Sequence, residues 1–232
     1  MAGAADRVAA DHGAATVGPG TLGNTVRELV ASRPPDELAL ITLARNGDRR
    51  EWTFGELVDA SGAVSGALVD HGVGRRSVVL TLVGNTIEYP LLMLACLRIG
   101  AVLLPCSEQL RPKDVALRVA RAGPKLIVCH ARNRQILEKA EPPCPVLTVP
   151  DASLLDGHTP PPYAELGPLD PAFVLFTSGT SGEPKLVTHG RRYITGQRLQ
   201  ARNWLAAEPG ELVWSTAAPG WSKSTRNTFL AQ

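Results

Sequence analysis

The spacing of hydrophobic residues changes along the chain, and each change predicts a different kind of element. Residues 77–83 (SVVLTLV) and 101–105 (AVLLP) are short apolar runs, whereas the apolar residues between 57 and 68 recur every three or four positions. The first pattern is typical of strands buried on both faces, and the second is typical of an amphipathic helix. Such strands alternate with helices up to residue 149. This alternation predicts an α/β fold in which helices cover both faces of a parallel sheet.

Two local signals predict the first elements in more detail. Asn46-Gly47 lies between two strand-like runs and predicts a tight hairpin turn, because this dipeptide accepts the positive φ angles of such turns. Thr53 and Glu56 have the spacing of a capping box, in which each side chain accepts a hydrogen bond from the other residue's backbone N–H. They predict the start of a helix that Gly72 ends.

Residues 150–171 are rich in Pro, Gly and Asp, which is typical of a connection between two folded units. Beyond them the pattern predicts a strand at 172–176, a polar loop, a helix over 191–205 and a strand at 211–216. The predicted organisation has four parts: a disordered tail (1–22), a first α/β subdomain (23–149), the connection (150–171) and the start of a second α/β subdomain (172–232).

Composition and charge argue against several classes of function. The chain has 24 Lys and Arg against 22 Asp and Glu, and the net charge of +2 provides no electrostatic footprint for nucleic acid. No apolar run approaches the roughly 20 residues that span a bilayer. The first 20 residues also lack the apolar core of a signal peptide.

The cysteines and histidines show no metal-binding spacing. Cys96, Cys106, Cys129 and Cys144 lie far apart, and no histidine pairs with another histidine or with a cysteine at ligand spacing. We therefore predict no metal ligands in this chain. Free thiols are typical of a reducing compartment, which predicts a cytoplasmic protein.

The stretch FTSGTSGEPK, residues 176–185, follows the apolar run of a predicted strand and combines hydroxyls, glycines and one cation. Gly179 and Gly182 allow the unusual φ angles with which backbone N–H groups converge on an anion. Lys185 adds a point charge suited to phosphate. The Gly-x-x-Gly-x-x-Lys spacing differs from that of a P-loop NTPase. The pattern predicts a polyphosphate-binding loop of another type.

Residues 177–190 (TSGTSGEPKLVTHG) resemble the signature loop of the adenylate-forming enzymes, a family of acyl-CoA synthetases, peptide-synthetase adenylation domains and luciferases. The resemblance extends from Thr53 to Gln232. Residues 106–128 and 212–231 (LVWSTAAPGWSKSTRNTFLA) are most similar to the medium-chain acyl-CoA synthetases, in which a Gly-Trp pair before a helix borders the acyl pocket.

The resemblance implies a role for each matching residue. Lys185 and Thr180 become catalytic residues, and the β- and γ-phosphates of ATP are bound by Thr177, Ser178, Gly179, Thr180, Ser181, Gly182, Glu183, Pro184 and Lys185. Gly220 and Trp221 become part of the acyl pocket, although Trp221 is equally consistent with a plain core aromatic. Gln109, in the polar loop after a strand, faces the CoA side.

The resemblance also implies an activity and its substrates. ATP and a carboxylic acid give acyl-AMP and pyrophosphate, and CoA then displaces AMP; magnesium is implied by this chemistry, with no ligand in this chain. The family's adenine- and ribose-binding segments and its mobile C-terminal domain find no match here, so we expect an N-terminal portion that is inactive alone. Two alternatives stay open: an amino-acid-adenylating domain, and a non-catalytic nucleotide-binding fragment.

Overall fold

The computed structural model describes residues 21–44, 46–178, 184–206 and 210–227. Its first strands, β1 (Leu38–Leu43) and β2 (Arg49–Thr53), form a separate antiparallel pair. Gly47 has a φ of +92° in the turn between them, as the hairpin signal predicts. Of the predicted tail (1–22), residues 1–20 lie outside the described residues.

The main sheet has six strands in the order β6–β5–β3–β4–β7–β8. Adjacent strands from β6 to β7 are parallel, and β8 pairs antiparallel with β7. Their bounds are β3 (Val78–Leu82), β4 (Val102–Pro105), β5 (Leu126–His130), β6 (Val146–Val149), β7 (Pro171–Ser178) and β8 (Pro184–Gly190).

Seven α-helices accompany the strands within the described residues. They are α1 (Thr25–Leu29), α2 (Phe54–Asp70), α3 (Glu88–Ile99), α4 (Pro112–Ala122), α5 (Arg134–Ala140), α6 (Arg192–Trp204) and α7 (Ser222–Thr225). Both hydrogen bonds of the capping box at the start of α2 are present, from Thr53 N to Glu56 Oε2 (2.8 Å) and from Glu56 N to Thr53 Oγ1 (3.2 Å). Gly72 follows α2 with a φ of +75°, which confirms the predicted end of that helix.

The sheet has a packed core on each face, because successive side chains of a strand point to opposite sides. One core combines residues of α2, α3 and α6 with Val79, Leu103 and Phe173 of the sheet. The other combines residues of α4 and α5 with Leu80, Leu104 and Val174. The predicted α/β fold with helices on both faces is therefore confirmed.

Three predicted elements differ from the structure. The sheet is mixed rather than parallel, because residues 184–190 form the antiparallel edge strand β8, where the sequence predicts the end of a loop and no strand. Thr177, Ser178, Pro184 and Lys185 consequently lie in strands rather than in the loop. Residues 211–216, predicted as a strand, have no regular structure.

The connection between the two predicted subdomains runs along the first of them. Arg98 Nε donates to Pro161 O (2.7 Å), and Asn24 Nδ2 donates to Ala164 O (2.9 Å). Beyond the connection, β7 enters the same sheet beside β4. The division of the chain into subdomains at 150–171 stays a prediction.

Candidate functional site

The candidate site residues lie where strands of the main sheet end. The parallel strands β3, β4, β5 and β7 all point their carboxyl ends to one edge, and ligands of open α/β sheets bind outside that edge. The loop that carries Gln109 follows β4, and the phosphate-loop sequence joins β7 to β8. The fold therefore brings the loop after β4 and the described ends of the phosphate-loop sequence to one edge.

The two ends of the signature loop form the last rungs of the β7–β8 hairpin. Thr177 is paired with Lys185 across the two strands, and Ser178 is paired with Pro184. Lys185 is exposed. Between these rungs, Gly179, Thr180, Ser181, Gly182 and Glu183 lie outside the described residues, so the predicted cradle of N–H groups stays a prediction.

Strand alternation determines which way Lys185 points. The cross-strand pairs Phe173–His189 and Thr177–Lys185 are four residues apart along β7, so their side chains share one face of the sheet. Phe173 belongs to the core that α6 covers. Lys185 and Thr177 consequently project toward the side of the sheet on which α6 lies.

The opposite side of the hairpin base is supported by α4. The guanidinium carbon of Arg118 lies 5.0 Å from the centre of the Phe176 ring, and Arg121 Nη1 donates a hydrogen bond of 2.6 Å to Pro184 O. Pro184 immediately precedes Lys185. Sequence reasoning missed both arginines, because neither belongs to the signature stretch and basic residues on a helix are normally solvated.

Gly220 packs directly against the end of β4. It has a φ of +95°, and a Cβ atom placed there would lie 2.8 Å from the backbone nitrogen of Ser107. Asn85, in the segment after β3, donates from Nδ2 to Ala217 O (3.3 Å). The segment 217–221 is thus attached to the carboxyl edge at two strands.

Trp221 is a surface residue, with 67% of its area exposed. Within the described structure Trp221 is therefore not buried as a core aromatic would be, and its place in the acyl pocket stays a prediction. Its side chain lines an open cavity of about 250 Å³ together with Ala217, Ala218 and Lys223.

Gln109 lies in the same loop that contacts Gly220. Its backbone N–H donates to Ser107 Oγ (3.2 Å), and its side chain is exposed. The structure thus brings Gln109 near the predicted acyl segment. A contact with CoA stays a prediction.

Three side chains that the sequence did not single out connect the loops after β3, β4 and β5. Glu108 Oε1 accepts hydrogen bonds of 2.6 Å from both Arg132 Nε and Asn133 Nδ2. Asn133 also donates to Leu82 O (2.9 Å). Burial alone would raise the pKa of Glu108, but these hydrogen bonds and the Arg132 charge outweigh it and lower the pKa. The carboxylate therefore stays ionised and holds the edge together.

Two tyrosine hydroxyls fasten α7. Tyr89 on α3 is fully buried, and its hydroxyl lies 3.2 Å from Thr225 Oγ1. Burial raises the pKa of Tyr89 to about 12, so the hydroxyl is neutral at physiological pH. Tyr193 on α6 hydrogen-bonds Ser222 Oγ at 3.0 Å. These contacts fix the helix that directly follows Trp221.

Among residues 21–44, 46–178, 184–206 and 210–227, no group of three or more His, Cys, Asp or Glu side chains is arranged to hold a metal ion. No helix in these ranges is both long and apolar enough to cross a bilayer.

The fold is that of an open α/β protein whose candidate site lies at the carboxyl edge of the sheet, where Thr177 and Lys185 pair across β7 and β8. The AMP-binding enzyme family matches residues 28–231, so the chain belongs to that family. It is 29% identical to an acyl–CoA ligase of Bacillus subtilis over 220 residues, 90% of this chain and 42% of that protein. It is 28% identical to the mitochondrial acyl-coenzyme A synthetase ACSM3 of Pongo abelii over 87% of this chain and 37% of that protein.

Solved structures of acyl-CoA synthetases and of MatB have a similar fold. The acyl-CoA synthetase of Brucella canis superimposes with a TM-score of 0.83 and 25% identity, covering 92% of this chain and 42% of that chain. ATP-bound MatB from Rhodopseudomonas palustris superimposes with a TM-score of 0.66 and 25% identity, covering 77% of this chain and 37% of that chain. The predicted membership of the adenylate-forming family and the likeness to its ACSM synthetases are confirmed. The chain spans about two fifths of the length of the relatives it matches.

Proposed function

We propose that the native protein carrying this chain is an ATP-dependent acid–CoA ligase that forms AMP. A carboxylate oxygen of the acid bonds to the α-phosphorus of ATP, the bond to the β-phosphate oxygen breaks, and pyrophosphate leaves. The CoA thiol then adds to the acyl carbon, loses its proton, and AMP departs. The observation that carries the proposal is the Thr177–Lys185 pair at the base of the signature hairpin. The family match supports the reaction class.

In this proposal the hairpin binds the leaving group. Residues 177–185 surround the β- and γ-phosphates, and Lys185 and Thr180 stabilise negative charge that builds on pyrophosphate as the bond breaks. Fixed donors of this kind contribute about 3 to 4 kcal/mol each in other enzymes. Strand pairing restricts the backbone at Thr177 and Lys185, so only the lysine side chain has to be ordered when ATP binds.

The acid and CoA approach from the neighbouring strands. We assign Gly220 and Trp221 to the wall of the acyl pocket and Gln109 to the CoA side. The Gly220–Trp221 segment and the loop of Gln109 both lie beside the end of β4. Magnesium would neutralise phosphate charge in this reaction. Among the described residues no group of three or more His, Cys, Asp or Glu side chains is arranged to hold a metal ion, and we name no protein ligand for magnesium.

Acid-dependent exchange of labelled pyrophosphate into ATP tests this function. A panel of short, medium and aromatic carboxylic acids is compared with the twenty amino acids, and CoA is then added to detect acyl-CoA. We expect exchange with carboxylic acids and a thioester product. Exchange with amino acids and no thioester would identify an amino-acid-adenylating domain, and absence of exchange with every compound would contradict the proposal.

The finer proposal is that these 232 residues alone do not form acyl-CoA. They match 42% of the Bacillus ligase, and groups that act as a unit lose their rate together when some are missing. Exchange by the purified 232-residue chain well above that of its Lys185→Ala variant would refute it. We also propose a cytoplasmic location, supported by the free thiols of Cys96, Cys106, Cys129 and Cys144.

A further inference from the structure

Tyr193 contacts both halves of the candidate site. Its ring centre lies 4.3 Å from that of His189 on β8 and 6.2 Å from that of Phe173 on β7. Its hydroxyl lies 3.0 Å from Ser222 Oγ, at the first residue of α7. One side chain therefore links the signature hairpin with the segment that presents Trp221.

The ring and the hydroxyl have separate partners. His189 and Phe173 form the cross-strand pair on the same face as Thr177 and Lys185, so the ring packs on the sheet surface below the hairpin tip. Within the described residues, the hydrogen bond of the Tyr193 hydroxyl is with Ser222 of α7. Removing the hydroxyl should release α7 and leave the packing against the hairpin in place.

Other contacts of α7 show why the Tyr193 hydroxyl can determine the orientation of this helix. Trp221 is the N-cap residue of α7, and Ser224 N and Thr225 N both donate to Trp221 O, at 2.9 and 3.2 Å. The first N–H groups of a helix have no partner inside the helix, so its first turn is held by few backbone hydrogen bonds of its own. Its orientation depends on side-chain contacts such as those of Tyr193 and Tyr89.

We propose that Tyr193 is a positioning residue that couples the pyrophosphate-binding hairpin to the acyl-binding segment. The inference rests on the proposed ligase function and adds a residue to it. The hydroxyl holds Trp221 against the acid through Ser222, while the ring aligns β8, and with it Lys185, relative to that wall. Acid binding and phosphate binding thus share one side chain that contacts neither ligand.

Two variants of the native protein separate the two roles. Tyr193→Phe should raise the KM for the fastest-exchanging acid about fivefold, since a hydrogen bond of this kind contributes about 1 kcal/mol. Its KM for ATP should stay unchanged. Tyr193→Leu also removes the ring and should raise both KM values. Ser222→Ala should reproduce the Phe variant, and the double variant Tyr193→Phe/Ser222→Ala should be no worse than either single one.

Tyr163→Phe is the matched control. The guanidinium carbon of Arg98, near the end of α3, lies 4.1 Å from the centre of the Tyr163 ring, and Phe keeps that ring. Hydrogen exchange in the native protein gives a second readout. The Ser224 and Thr225 amides should exchange faster in Tyr193→Phe, and their exchange should be unchanged in Tyr163→Phe.

The outcomes distinguish the inference from the function on which it rests. If the unaltered protein shows no acid-dependent exchange, the proposed function fails and the positioning role fails with it. If the unaltered protein is active, two results overturn the inference alone. One is a Tyr193→Phe variant with unchanged acid KM or unchanged amide exchange, and the other is a Phe variant that raises both KM values as the Leu variant does.

Discussion

Thr177 and Lys185 face each other as a cross-strand pair, one step before the chain leaves β7 and one step after it enters β8. The pairing places a hydroxyl and an ammonium group on the same face of the sheet, at the base of the signature loop. Backbone pairing fixes the place of Lys185 in the strand, and its side chain is exposed, so a ligand can reach its charge.

Gly220 should tolerate no side chain. Gly220→Ala adds a Cβ that would lie 2.8 Å from Ser107 N, in addition to the strain of a positive φ. Gly47→Ala is the matched control, because its φ of +92° is nearly the same and no atom among the described residues lies within 4 Å of the added carbon. We expect Gly47→Ala to lose about 1 to 2 kcal/mol of unfolding free energy.

Gly220→Ala should lose more unfolding free energy than Gly47→Ala. It should also raise the KM for the acid, because Trp221 must move. Urea denaturation and acid titration measure both effects. Equal losses of stability in the two variants, with an unchanged acid KM, would show that the Gly220–Ser107 contact is not needed.

The carboxylate of Glu108 should stabilise the protein in a pH-dependent way. Its folded-state pKa is lowered, so its contribution is complete above the ordinary glutamate pKa of about 4.3 and disappears as the pH falls through the lowered value. Glu108→Gln should cost about 1 to 2 kcal/mol at pH 7, because two donors lose a charged acceptor. The cost should shrink at pH 3.

Glu138→Gln serves as the comparison for Glu108→Gln. Glu138 pairs with Arg134 at 3.5 Å, and 62% of its side chain is exposed. An exposed pair of this kind contributes roughly 0 to 1 kcal/mol. If the two variants lose the same stability in urea denaturation at pH 7, the Glu108 network does not hold the edge of the sheet.

His158 should fasten the connection to α2 only when it is protonated. Its Nδ1 lies 2.7 Å from Asp70 Oδ2 and its Nε2 lies 2.7 Å from Ser153 O, so both ring nitrogens must donate. The hydrogen bond with Asp70, followed by that with Ser153, raises the pKa of His158.

The stabilisation by His158 is therefore complete below the ordinary histidine pKa of about 6.5 and is lost as the pH rises through the raised value. His158→Gln and Asp70→Asn should both lower the midpoint of urea unfolding at pH 5.5 and have little effect at pH 9. A loss of equal size at both pH values would rule out the charged interaction.

Sequence patterns predicted the elements that local signals determine. Thr53 and Glu56 lie three residues apart, and a capping box needs only that spacing and a free helix start. Gly72 follows α2 and adopts a φ of +75°, as helix ends commonly require. Such features depend on neighbours in the chain, so the sequence is sufficient to predict them.

The errors arose where tertiary contacts decide the structure. Residues 184–190 are a partly exposed edge strand, so they lack the apolar run that marked the buried strands. Residues 211–216 have strand-like composition, yet Leu212 and Trp214 are 75% and 84% exposed. Strand propensity reflects packing against neighbours, and within the described residues this segment has no strand beside it.

The candidate site was predicted only where a motif was continuous in sequence. The signature stretch identified Lys185, whereas Glu108, Arg132 and Asn133 meet across three separate loops with no spacing signal. The contact between Tyr193 and Ser222 joins residues 29 positions apart. Contacts of this kind depend on the order of strands in the sheet, which the sequence pattern does not specify.

The central claim is that Lys185 acts on the departing pyrophosphate, and measuring the two half-reactions of Lys185→Ala separately tests it most directly. Adenylation should slow by about 100-fold or more, as for the loss of one transition-state donor, with the KM for the acid nearly unchanged. Lys185→Arg should recover only part of the rate, because a planar guanidinium does not replace a compact ammonium. CoA attack on pre-formed acyl-AMP, which releases no pyrophosphate, should stay close to the unaltered rate. Equal losses in both half-reactions would contradict the claim and make Lys185 a support for the hairpin instead.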